Sequence, residues 1–357
     1  AGEQPDQAMG QVIEAPTQPC VERKNMTILD QVTLQSGFQA KSTAAEVLKD
    51  INLAGKIAIV TGGYSGLGFE TVRALASKGA KVIVPVRSET KAKEALAGDI
   101  TIAPMDLADL ALVNTFAASM QSALPQIDFL INNAGVMASP KSKVGPGLES
   151  QFGICHMGHF TLTKGLFSLL EKASAPRVVA LSSTSHKMSD IQWDDINFEQ
   201  TPYEKWRAYG QAKTANALFA NALSRRLKDT GGLAFLVHPG GIFTPLQRHL
   251  PKEKMIVMGW LGEDGEPTEL AKAGFKSPEQ GASTTLWAAT SSKFLGKPGV
   301  YCEDADISAI TDSDSPIGRY MGVDPHACDD DAAERLWDLS VGWLKAAYNP
   351  TFGIQGF

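Results

Sequence analysis

From Lys56 to residue 238, short apolar runs alternate with segments in which apolar residues recur at the spacing of a helix. The first run, Ile57-Ala58-Ile59-Val60, is typical of a strand buried on both faces. Further strands are predicted at 81–86, 101–104, 128–132, 177–182 and 233–238. Helices are predicted between them at 70–78, 110–123, 152–171 and 209–228. Strands joined through helices run parallel, so we predict an α/β protein with one doubly wound parallel sheet and helices on both faces.

Composition and charge argue against several classes of protein. The 357 residues are 43% hydrophobic, enough for one large domain with a sizeable core. The net charge is −6 and no long basic run occurs, which argues against a nucleic-acid partner. No apolar run is long enough to span a bilayer and no signal peptide is visible, so we expect a cytoplasmic protein without a membrane span.

Cysteine and histidine spacing gives little support for a metal site. Cys20, Cys155, Cys302 and Cys328 form no C-x-x-C pair, so neither a zinc site nor a disulfide framework is predicted. This use of cysteine suits a reducing, intracellular setting. A histidine pair three residues apart, at 156 and 159, could ligate a metal, but no third ligand stands nearby and structural roles are favoured. We predict no metal.

The chain divides into an extension and one domain. Residues 1–45 are polar and rich in Gln, Glu and Pro, and they predict an N-terminal extension that is either a disordered tail or an arm over a neighbouring subunit. Residues 46–357 form the predicted Rossmann-type domain. Within it the periodic pattern lapses at about 246–277, where a substrate loop or a variable insertion is expected after the sixth strand.

A glycine-rich turn follows the first strand and opens the first helix. Its glycines, at 62, 66 and 68, let a backbone approach a pyrophosphate, and the helix N-terminus favours the negative charge. This position between strand and helix predicts a dinucleotide site. The second strand ends with Arg87 and has no acid before Glu89. An arginine there accommodates the 2′-phosphate of NADP, whereas an acid would bind the ribose hydroxyl of NAD, so NADP(H) is predicted over NAD(H).

Tyr209 and Lys213 are four residues apart on a predicted helix, which places both side chains on one face. An ammonium near a phenol lowers the phenol pKa from about 10. The pair therefore predicts a tyrosine that works as a general acid or base near neutral pH.

Six landmarks in order resemble the short-chain dehydrogenase/reductase family, over roughly residues 55–245. They are the glycine turn, Asn132-Asn133-Ala134-Gly135, Leu181-Ser182-Ser183, Tyr209, Lys213, and Pro239-Gly240 with Thr244. Within the family, the chain is similar to the retinol dehydrogenase and WW-domain oxidoreductase branch. The stretches that show this are His156-Met157-Gly158-His159-Phe160, 183–186, 194–198 and Val237-His238-Pro239-Gly240.

The resemblance implies a role for each matching residue. Tyr209 would exchange the proton with the substrate oxygen, Lys213 would lower its pKa and bind the nicotinamide ribose, and Ser183, rather than Ser182, would hydrogen-bond that oxygen. Helices 152–171 and 209–228 form dimer faces in many relatives, which allows a homodimer or homotetramer. The implied cofactor-binding residues are Gly62, Tyr64, Ser65, Gly66, Leu67, Gly68, Arg87, Asp106, Leu107, Asn133, Ala134, Gly135, Tyr209, Lys213, Pro239, Gly240, Ile242 and Thr244.

One position departs from the family pattern. Relatives usually have an asparagine where this chain has Cys155, in a kinked helix that anchors a water of the proton relay. A thiol hydrogen-bonds poorly compared with an amide. Either Cys155 is a small buried residue and backbone groups hold the water, which is the favoured interpretation, or the relay is weakened.

These residues together predict an NADP(H)-dependent oxidoreductase that interconverts a hydrophobic alcohol and its aldehyde or ketone. Its substrate pocket is expected between residues 138–150, 184–208 and 246–277. One alternative is a double-bond reductase of the protochlorophyllide reductase type, which has the same tyrosine–lysine pair. Another is a non-catalytic nucleotide-binding sensor on the same fold, but such proteins usually lose the tyrosine, lysine or serine, and all three stand here.

Overall fold

The protein is described here by a computed structural model over residues 31–96, 100–294, 300–311, 318 and 320–347. Its strands, in chain order, are β1 (Ile57–Val60), β2 (Lys81–Val86), β3 (Ile100–Pro104), β4 (Phe129–Asn132), β5 (Lys143–Val144), β6 (Leu148–Glu149), β7 (Arg177–Leu181), β8 (Leu233–Val237), β9 (Tyr301–Glu303) and β10 (Asp306–Ile307). The central sheet has the order β10-β9-β8-β7-β4-β1-β2-β3, while β5 and β6 form a separate hairpin. Within the central sheet, β10 is antiparallel to β9 and the other pairs are parallel. The predicted α/β class and parallel sheet are confirmed.

Helices cover both faces of the central sheet. They are α1 (Ala44–Val47), α2 (Gly66–Ser77), α3 (Glu89–Ala95), α4 (Leu110–Ala123), α5 (Ser150–Phe152), α6 (His159–Glu171), α7 (Lys205–Arg226), α8 (Lys252–Val257), α9 (Glu269–Gly274), α10 (Pro278–Thr290) and α11 (Asp330–Ala347). Among the helices within the described ranges, none is long and apolar enough to cross a membrane.

The central strand β1 shows why the apolar runs become buried strands. Successive side chains of a strand point to opposite faces. Ile57 and Ile59 therefore pack into the core formed with α4, α6, α7 and α11, whereas Ala58 and Val60 pack into the core formed with α1, α2 and α10. Since both faces are covered, every residue of β1 is buried. A strand in this position needs a continuous apolar run, which is the pattern that the sequence shows.

The segment 153–158 differs from the predicted α-helix at 152–171. It is a wider, π-helical turn, Gly153–Gly158, between α5 and α6. The backbone at Leu107 approaches this turn closely, because a Cβ on Gly158 would lie 2.6 Å from the carbonyl oxygen of Leu107. Sequence spacing predicts the helix at 152–171 but does not register one extra residue in a turn, and the π-helical turn lies where the resemblance implies a kink. Such turns often occur at functional sites.

The helix α11 packs over α6 and α7. The ring of Trp337 lies 4.9 Å from that of Phe160 and 6.1 Å from that of Phe219, centroid to centroid. At the edge of this contact, the guanidinium of Arg226 lies 3.9 Å from the Trp337 ring centroid. With the sheet on one side and α11 on the other, every residue of α7 from Ala208 to Ser224 is buried.

Residues 31–38 of the predicted N-terminal extension lie along the β9–β10 hairpin, while residues 1–30 fall outside the described part of the chain. The amide of Gln31 donates to the carbonyl of Tyr301 at 2.9 Å and accepts from its N–H at 3.0 Å. The carboxylate of Asp306 accepts from the backbone N–H groups of Leu34 and Ser36, at 2.8 and 3.0 Å. This segment therefore rests on the end of the sheet of its own chain.

The segment 246–277 contains short helices. A 3₁₀ turn, Pro245–His249, is followed by α8 and α9, each six residues long. Its end is fixed by Lys276, whose ammonium lies 2.6 Å from the carboxylate of Asp304. The Lys276 side chain crosses Gly240, where a Cβ would lie 2.8 Å from its Cε atom. This segment is thereby tied to the turn that follows β8.

Candidate active site

A cleft opens at the carboxyl ends of β1, β2, β4, β7 and β8, the edge at which open α/β sheets bind ligands. Most of the predicted site residues line it: Gly62, Tyr64, Ser65, Gly66, Leu67, Arg87, Asp106, Leu107, Asn133, Ala134, Gly135, Tyr209, Lys213, Pro239 and Thr244. The cleft thus brings together residues separated by as much as half of the chain.

The glycine turn forms a tight cradle at one wall of the cleft. Gly62 and Gly66 have φ values of +66° and +53°, in the left-handed region that favours glycine. Gly68 does not itself line the cleft, but a Cβ there would lie 2.3 Å from the carbonyl oxygen of Gly62. Ser65 precedes α2 without making a side-chain cap, so the first N–H groups of this helix are not taken by it. A pyrophosphate fits such a backbone cradle and helix N-terminus.

Arg87 and Asp106 lie at the end of the cleft next to β2 and β3. Arg87 is exposed, and Asp106 is the one acid among the described residues that line the cleft. The carboxylate of Asp106 accepts from the N–H of Ala108 at 2.9 Å, which holds the turn before α4. A guanidinium at the end of β2, where the strand itself ends without an acid, suits a phosphate on the adenosine ribose.

The Asn133 loop is held against the glycine turn by Thr61. The side-chain amide of Asn133 donates to the carbonyl of Thr61 at 2.8 Å. The backbone N–H groups of Asn133 and Ala134 donate to the Thr61 hydroxyl at 2.9 and 3.0 Å. That hydroxyl also lies 2.8 Å from Nε2 of His159. Both sequence landmarks are therefore parts of one hydrogen-bonded wall, and His159 has a structural partner at each ring nitrogen.

Tyr209 and Lys213 lie on the face of α7 that borders the cleft. The ammonium of Lys213 lies 5.5 Å from the Tyr209 ring centroid and donates to the carbonyl of Leu181 at 3.0 Å. Both side chains are buried, with 3% and 5% of their surface exposed. The spacing of four residues thus produces the expected shared face, and the end of β7 fixes the ammonium.

The pKa of Tyr209 differs from the expectation. Burial raises it above the ordinary value, because water that would stabilise a phenolate is excluded, and a hydrogen bond from Ser183 opposes this shift. Burial also lowers the pKa of Lys213. The lowered tyrosine pKa predicted from spacing alone is therefore wrong for this structure.

The two serines after β7 have different surroundings. The hydroxyl of Ser182 is buried and donates to the backbone carbonyl of Lys213 at 3.2 Å. Ser183 interacts with Tyr209 and begins the 3₁₀ turn Thr184–Met188, where its hydroxyl accepts from the N–H of Ser185 at 3.1 Å. Ser182 thus ties α7 to the sheet and lines the cleft, whereas Ser183 is the serine beside the phenol but is not among the described residues that line the cleft.

Cys155 lies in the π-helical turn behind the Asn133 loop and does not line the cleft. Its thiol donates to the carbonyl of Val136 at 3.6 Å, and burial raises its pKa above the ordinary value. A Cβ on Gly135 would lie 3.4 Å from the sulfur and 3.9 Å from the Lys213 ammonium. The sulfur is therefore a neutral thiol close to Lys213, packed as a small residue.

On the β8 side, Pro239 and Thr244 line the cleft, whereas Gly240 and Ile242 support it from behind. Ile242 packs on α10, where a Cβ on Gly281 would lie 2.5 Å from its Cδ1 atom. The cleft also includes residues that the sequence motifs did not identify: Val136, Ile154, Leu246 and Arg248. Leu246 and Arg248 follow Thr244 by two and four residues, so the 3₁₀ turn that begins there could have suggested them.

An apolar wall packs around Tyr209 beside the cleft. It consists of Met137, Ala138, Trp206, Tyr209, Leu246, Leu250, Met255 and Trp260. Ala138 has a φ of +49°, unusual for a residue other than glycine, directly after the Asn133 loop. The wall joins the three stretches that the sequence predicts around the substrate pocket.

Comparisons with known proteins agree with this arrangement. A family model described as short chain dehydrogenase matches residues 56–255. The chain is 39% identical over 319 residues to the short-chain dehydrogenase/reductase prx1 of Penicillium roqueforti, covering 86% of this chain and 91% of that one. It is 34% identical over 320 residues to human retinol dehydrogenase 14, covering 82% and 88%.

A solved structure of an uncharacterised protein from Mycobacterium paratuberculosis is similar as well. Its TM-score is 0.63 at 33% identity, and the match covers 85% of this chain and 98% of that one. The family model, the relatives and the fold all agree. The chain belongs to the short-chain dehydrogenase/reductase family and is an oxidoreductase that acts on CH–OH and C=O groups.

Proposed function

We propose that the protein is an NADP(H)-dependent oxidoreductase that interconverts a hydrophobic alcohol and its aldehyde or ketone. The observation that supports this most is the convergence of Ser183, Tyr209 and Lys213 next to the glycine cradle and an apolar wall. When bound, the nicotinamide cofactor supplies or accepts the hydride.

Tyr209 gives up its proton to the carbonyl oxygen during reduction and takes one during oxidation. The phenol has a proton to donate to a carbonyl, and the nearby ammonium of Lys213 favours the phenolate that donation leaves, against the burial that raises the phenol pKa. The hydroxyl of Ser183 donates a hydrogen bond to the same oxygen, where negative charge develops. Lys213, which the Leu181 carbonyl fixes, orients the nicotinamide ribose and compensates the charge left on Tyr209.

The residues around the cleft fit NADP(H) better than NAD(H). The cradle of Gly62 and Gly66, with Gly68 packed behind it, would hold the pyrophosphate, and Thr244 with the Ile242 backbone would hold the carboxamide. Arg87 receives the 2′-phosphate at the end of β2, a position where NAD enzymes have an acid. The preference over NAD(H) rests on Arg87 and on the missing acid.

The substrate is expected to be largely apolar. Its carbonyl lies beside Tyr209 and the rest of it against the wall that includes Trp206, Leu250, Met255 and Trp260. The name of the human relative, retinol dehydrogenase 14, also supports an apolar alcohol or aldehyde. The segment 246–277 supplies half of the residues of this wall and is proposed as the substrate-binding segment.

A panel of alcohols, aldehydes and ketones, followed by NADPH and NADH absorbance, tests the function. We expect turnover of apolar aldehydes, with kcat/KM at least about 10-fold higher for NADPH than for NADH, since the difference is one phosphate contact. A panel on which no carbonyl or alcohol reacts, although NADPH binds, would support the sensor alternative instead.

Removing the phenol hydroxyl tests the proton donor. Tyr209→Phe is expected to lower kcat by about 10²-fold or more, the usual contribution of a positioned general acid, while the Kd for NADPH stays within about twofold. Tyr320, 65% exposed and outside the cleft, provides the matched control Tyr320→Phe, which should react like the parent protein. Undiminished turnover by Tyr209→Phe would refute the assignment.

A further inference from the structure

We infer that His186 is a positioning residue that holds Ser183 against Tyr209 by bridging it to a buried ion pair near the C-terminus. This inference rests on the proposed function, in which Ser183 binds the substrate oxygen. His186 lies outside the residues that line the cleft, so its effect would pass through Ser183.

The hydrogen bonds of the His186 ring fix its tautomer. Nδ1 lies 2.7 Å from the backbone carbonyl oxygen of Ser183, and Nε2 lies 3.1 Å from the backbone nitrogen of Asp324. A carbonyl only accepts and a backbone N–H only donates, so Nδ1 bears the proton and Nε2 accepts. The ring is fully buried, and both nitrogens are used. It is therefore a neutral bridge between two backbone groups that lie 141 positions apart in the sequence (183 and 324).

The Ser183 end of the bridge is a short turn, which α7 also supports through the Thr214 hydroxyl, a donor to the His186 carbonyl at 3.1 Å. The Ser183 carbonyl accepts from the backbone N–H of His186 at 3.0 Å as well as from its ring. The Ser183 hydroxyl accepts from the Ser185 N–H at 3.1 Å. A site residue on a five-residue 3₁₀ turn, rather than within a strand or long helix, depends on such neighbours for its position.

The Asp324 end of the bridge is rigid. Its carboxylate lies 2.6 Å from the ammonium of Lys187, and these side chains are 8% and 9% exposed. The ammonium also donates to the Thr311 hydroxyl at 2.9 Å, and the Thr311 N–H donates to the carbonyl of Val323. An ion pair shielded from water persists only in a well-defined geometry with its remaining hydrogen bonds satisfied. The N–H of Asp324 is thereby held at a fixed point.

The turn that follows Ser183 makes two separate contacts with Asp324. Ser183, His186 and Lys187 belong to one turn, so this turn contacts Asp324 twice, once through the imidazole and once through the ammonium. A displacement of the turn would break a buried hydrogen bond and strain a buried ion pair together. The 3₁₀ turn after β7 therefore has one favoured position, and it is the position in which Ser183 reaches Tyr209.

The tautomer can be measured without any substrate. Long-range ¹H–¹⁵N spectra of the protein at pH 7, with His186 assigned by His186→Asn, should show a neutral ring protonated at Nδ1. A ring protonated at Nε2, or one that exchanges between tautomers, would overturn the bridge. This readout stays decisive even if the proposed oxidoreductase function fails on the substrate panel.

Variants at His186 separate positioning from general stability. His186→Leu loses both ring bonds, and kcat for the best carbonyl of the panel should fall about 10- to 100-fold, the range expected when a site group moves by about an ångström. KM and the Kd for NADPH should stay within about threefold. His186→Asn has an amide N–H near the position of Nδ1, so its kcat should be at least about threefold higher than that of His186→Leu.

His326 provides the matched control. Its Nε2 lies 3.1 Å from the carbonyl oxygen of His186 and 3.4 Å from the Thr214 hydroxyl, in the same packed region, and among the described residues its ring makes no hydrogen bond to Ser183 or Asp324. His326→Leu should therefore keep kcat within about threefold of the parent at the same fraction folded. Equal losses of kcat in His186→Leu and His326→Leu, or full kcat in folded His186→Leu, would refute positioning by His186.

Discussion

Tyr209 illustrates what residue spacing can and cannot predict. Spacing of four along a helix fixes the shared face with Lys213, and this face was correctly expected. The depth of that face depends on the apolar wall around Tyr209, which residues distant in the sequence, such as Met137 and Leu250, contribute. Since this wall buries Tyr209, the phenol pKa rises instead of falling. The kind of chemistry is thus readable from two residues, but its resting protonation state requires the whole packing.

Arg87 offers a direct test at the same scale. Arg87→Asp replaces a phosphate partner by a ribose-hydroxyl acceptor, so KM for NADPH should rise at least about 10-fold and KM for NADH should fall. Steady-state kinetics with both cofactors measure the switch. Arg73→Asp is the control, because Arg73 lies on α2 outside the cleft and pairs with Glu70. Unchanged discrimination in Arg87→Asp would contradict the assignment of Arg87.

At the level of elements, the glycine turn before α2 is the clearest case of sequence determining geometry. Gly68→Ala would put a Cβ 2.3 Å from the carbonyl oxygen of Gly62, so the cradle must shift. We expect the Kd for NADPH to rise about 10-fold or more, measured by cofactor fluorescence, in proportion to lost backbone contacts with the pyrophosphate.

The control for this change is Gly342→Ala in α11. No atom lies within 4 Å of a Cβ at that position. Alanine in a helix interior is favoured over glycine by about 0.5–1 kcal/mol, so this variant should unfold at slightly higher urea and bind NADPH normally. Normal NADPH binding by Gly68→Ala would show that the cradle does not hold the cofactor.

The strands that are buried on both faces could be predicted from the sequence. The π-helical turn, which differs from an α-helix by one extra residue, could not. The predicted strands agree with β1, β2, β3, β4, β7 and β8 to within about a residue, since their burial demands continuous apolar runs. The π-helical turn has the same apolar pattern as an α-helix, so only the structure distinguishes them. For α11 a signal did exist, because its buried residues, at 333, 336, 337, 340 and 344, recur with helical spacing.

At the scale of the whole molecule, the face formed by α6 and α7 is covered by α11 of the same chain. The face of α6 and α7, from which the family resemblance implies dimers, packs against α11 through Phe160, Phe219 and Trp337. A second copy could use that face only by displacing α11. We therefore expect a monomer of 38.1 kDa by light scattering. A mass of twice this value, lost on changing a residue of the α6–α7 face, would contradict the expectation.

Buried histidines make the stability of the whole fold depend on pH. Burial lowers the pKa of His156 to about 3 and the pKa of His159 and of His186 to about 4, against 6.5 for a free side chain. The unfolded chain therefore binds more protons between pH 6.5 and 4, and stability is lost as pH falls through that window. Each shifted pKa unit corresponds to about 1.4 kcal/mol.

Urea unfolding at a series of pH values measures this dependence. The free energy of unfolding should be highest above pH 6.5 and decline steadily towards pH 4. A free energy that stays constant from pH 7 to pH 4 would show that these rings are hydrated in solution.

The contact between residues 31–38 and the β9–β10 hairpin has a practical consequence for anyone who shortens this protein. Gln31 satisfies both backbone groups of Tyr301, and Asp306 receives the N–H groups of Leu34 and Ser36. A version trimmed to the first strand would leave the Tyr301 N–H without its partner Gln31 and remove two donors from Asp306, which exposes the end of the sheet and invites pairing between molecules. Shortened forms that keep Gln31 onward should therefore be the ones that stay in solution at high concentration.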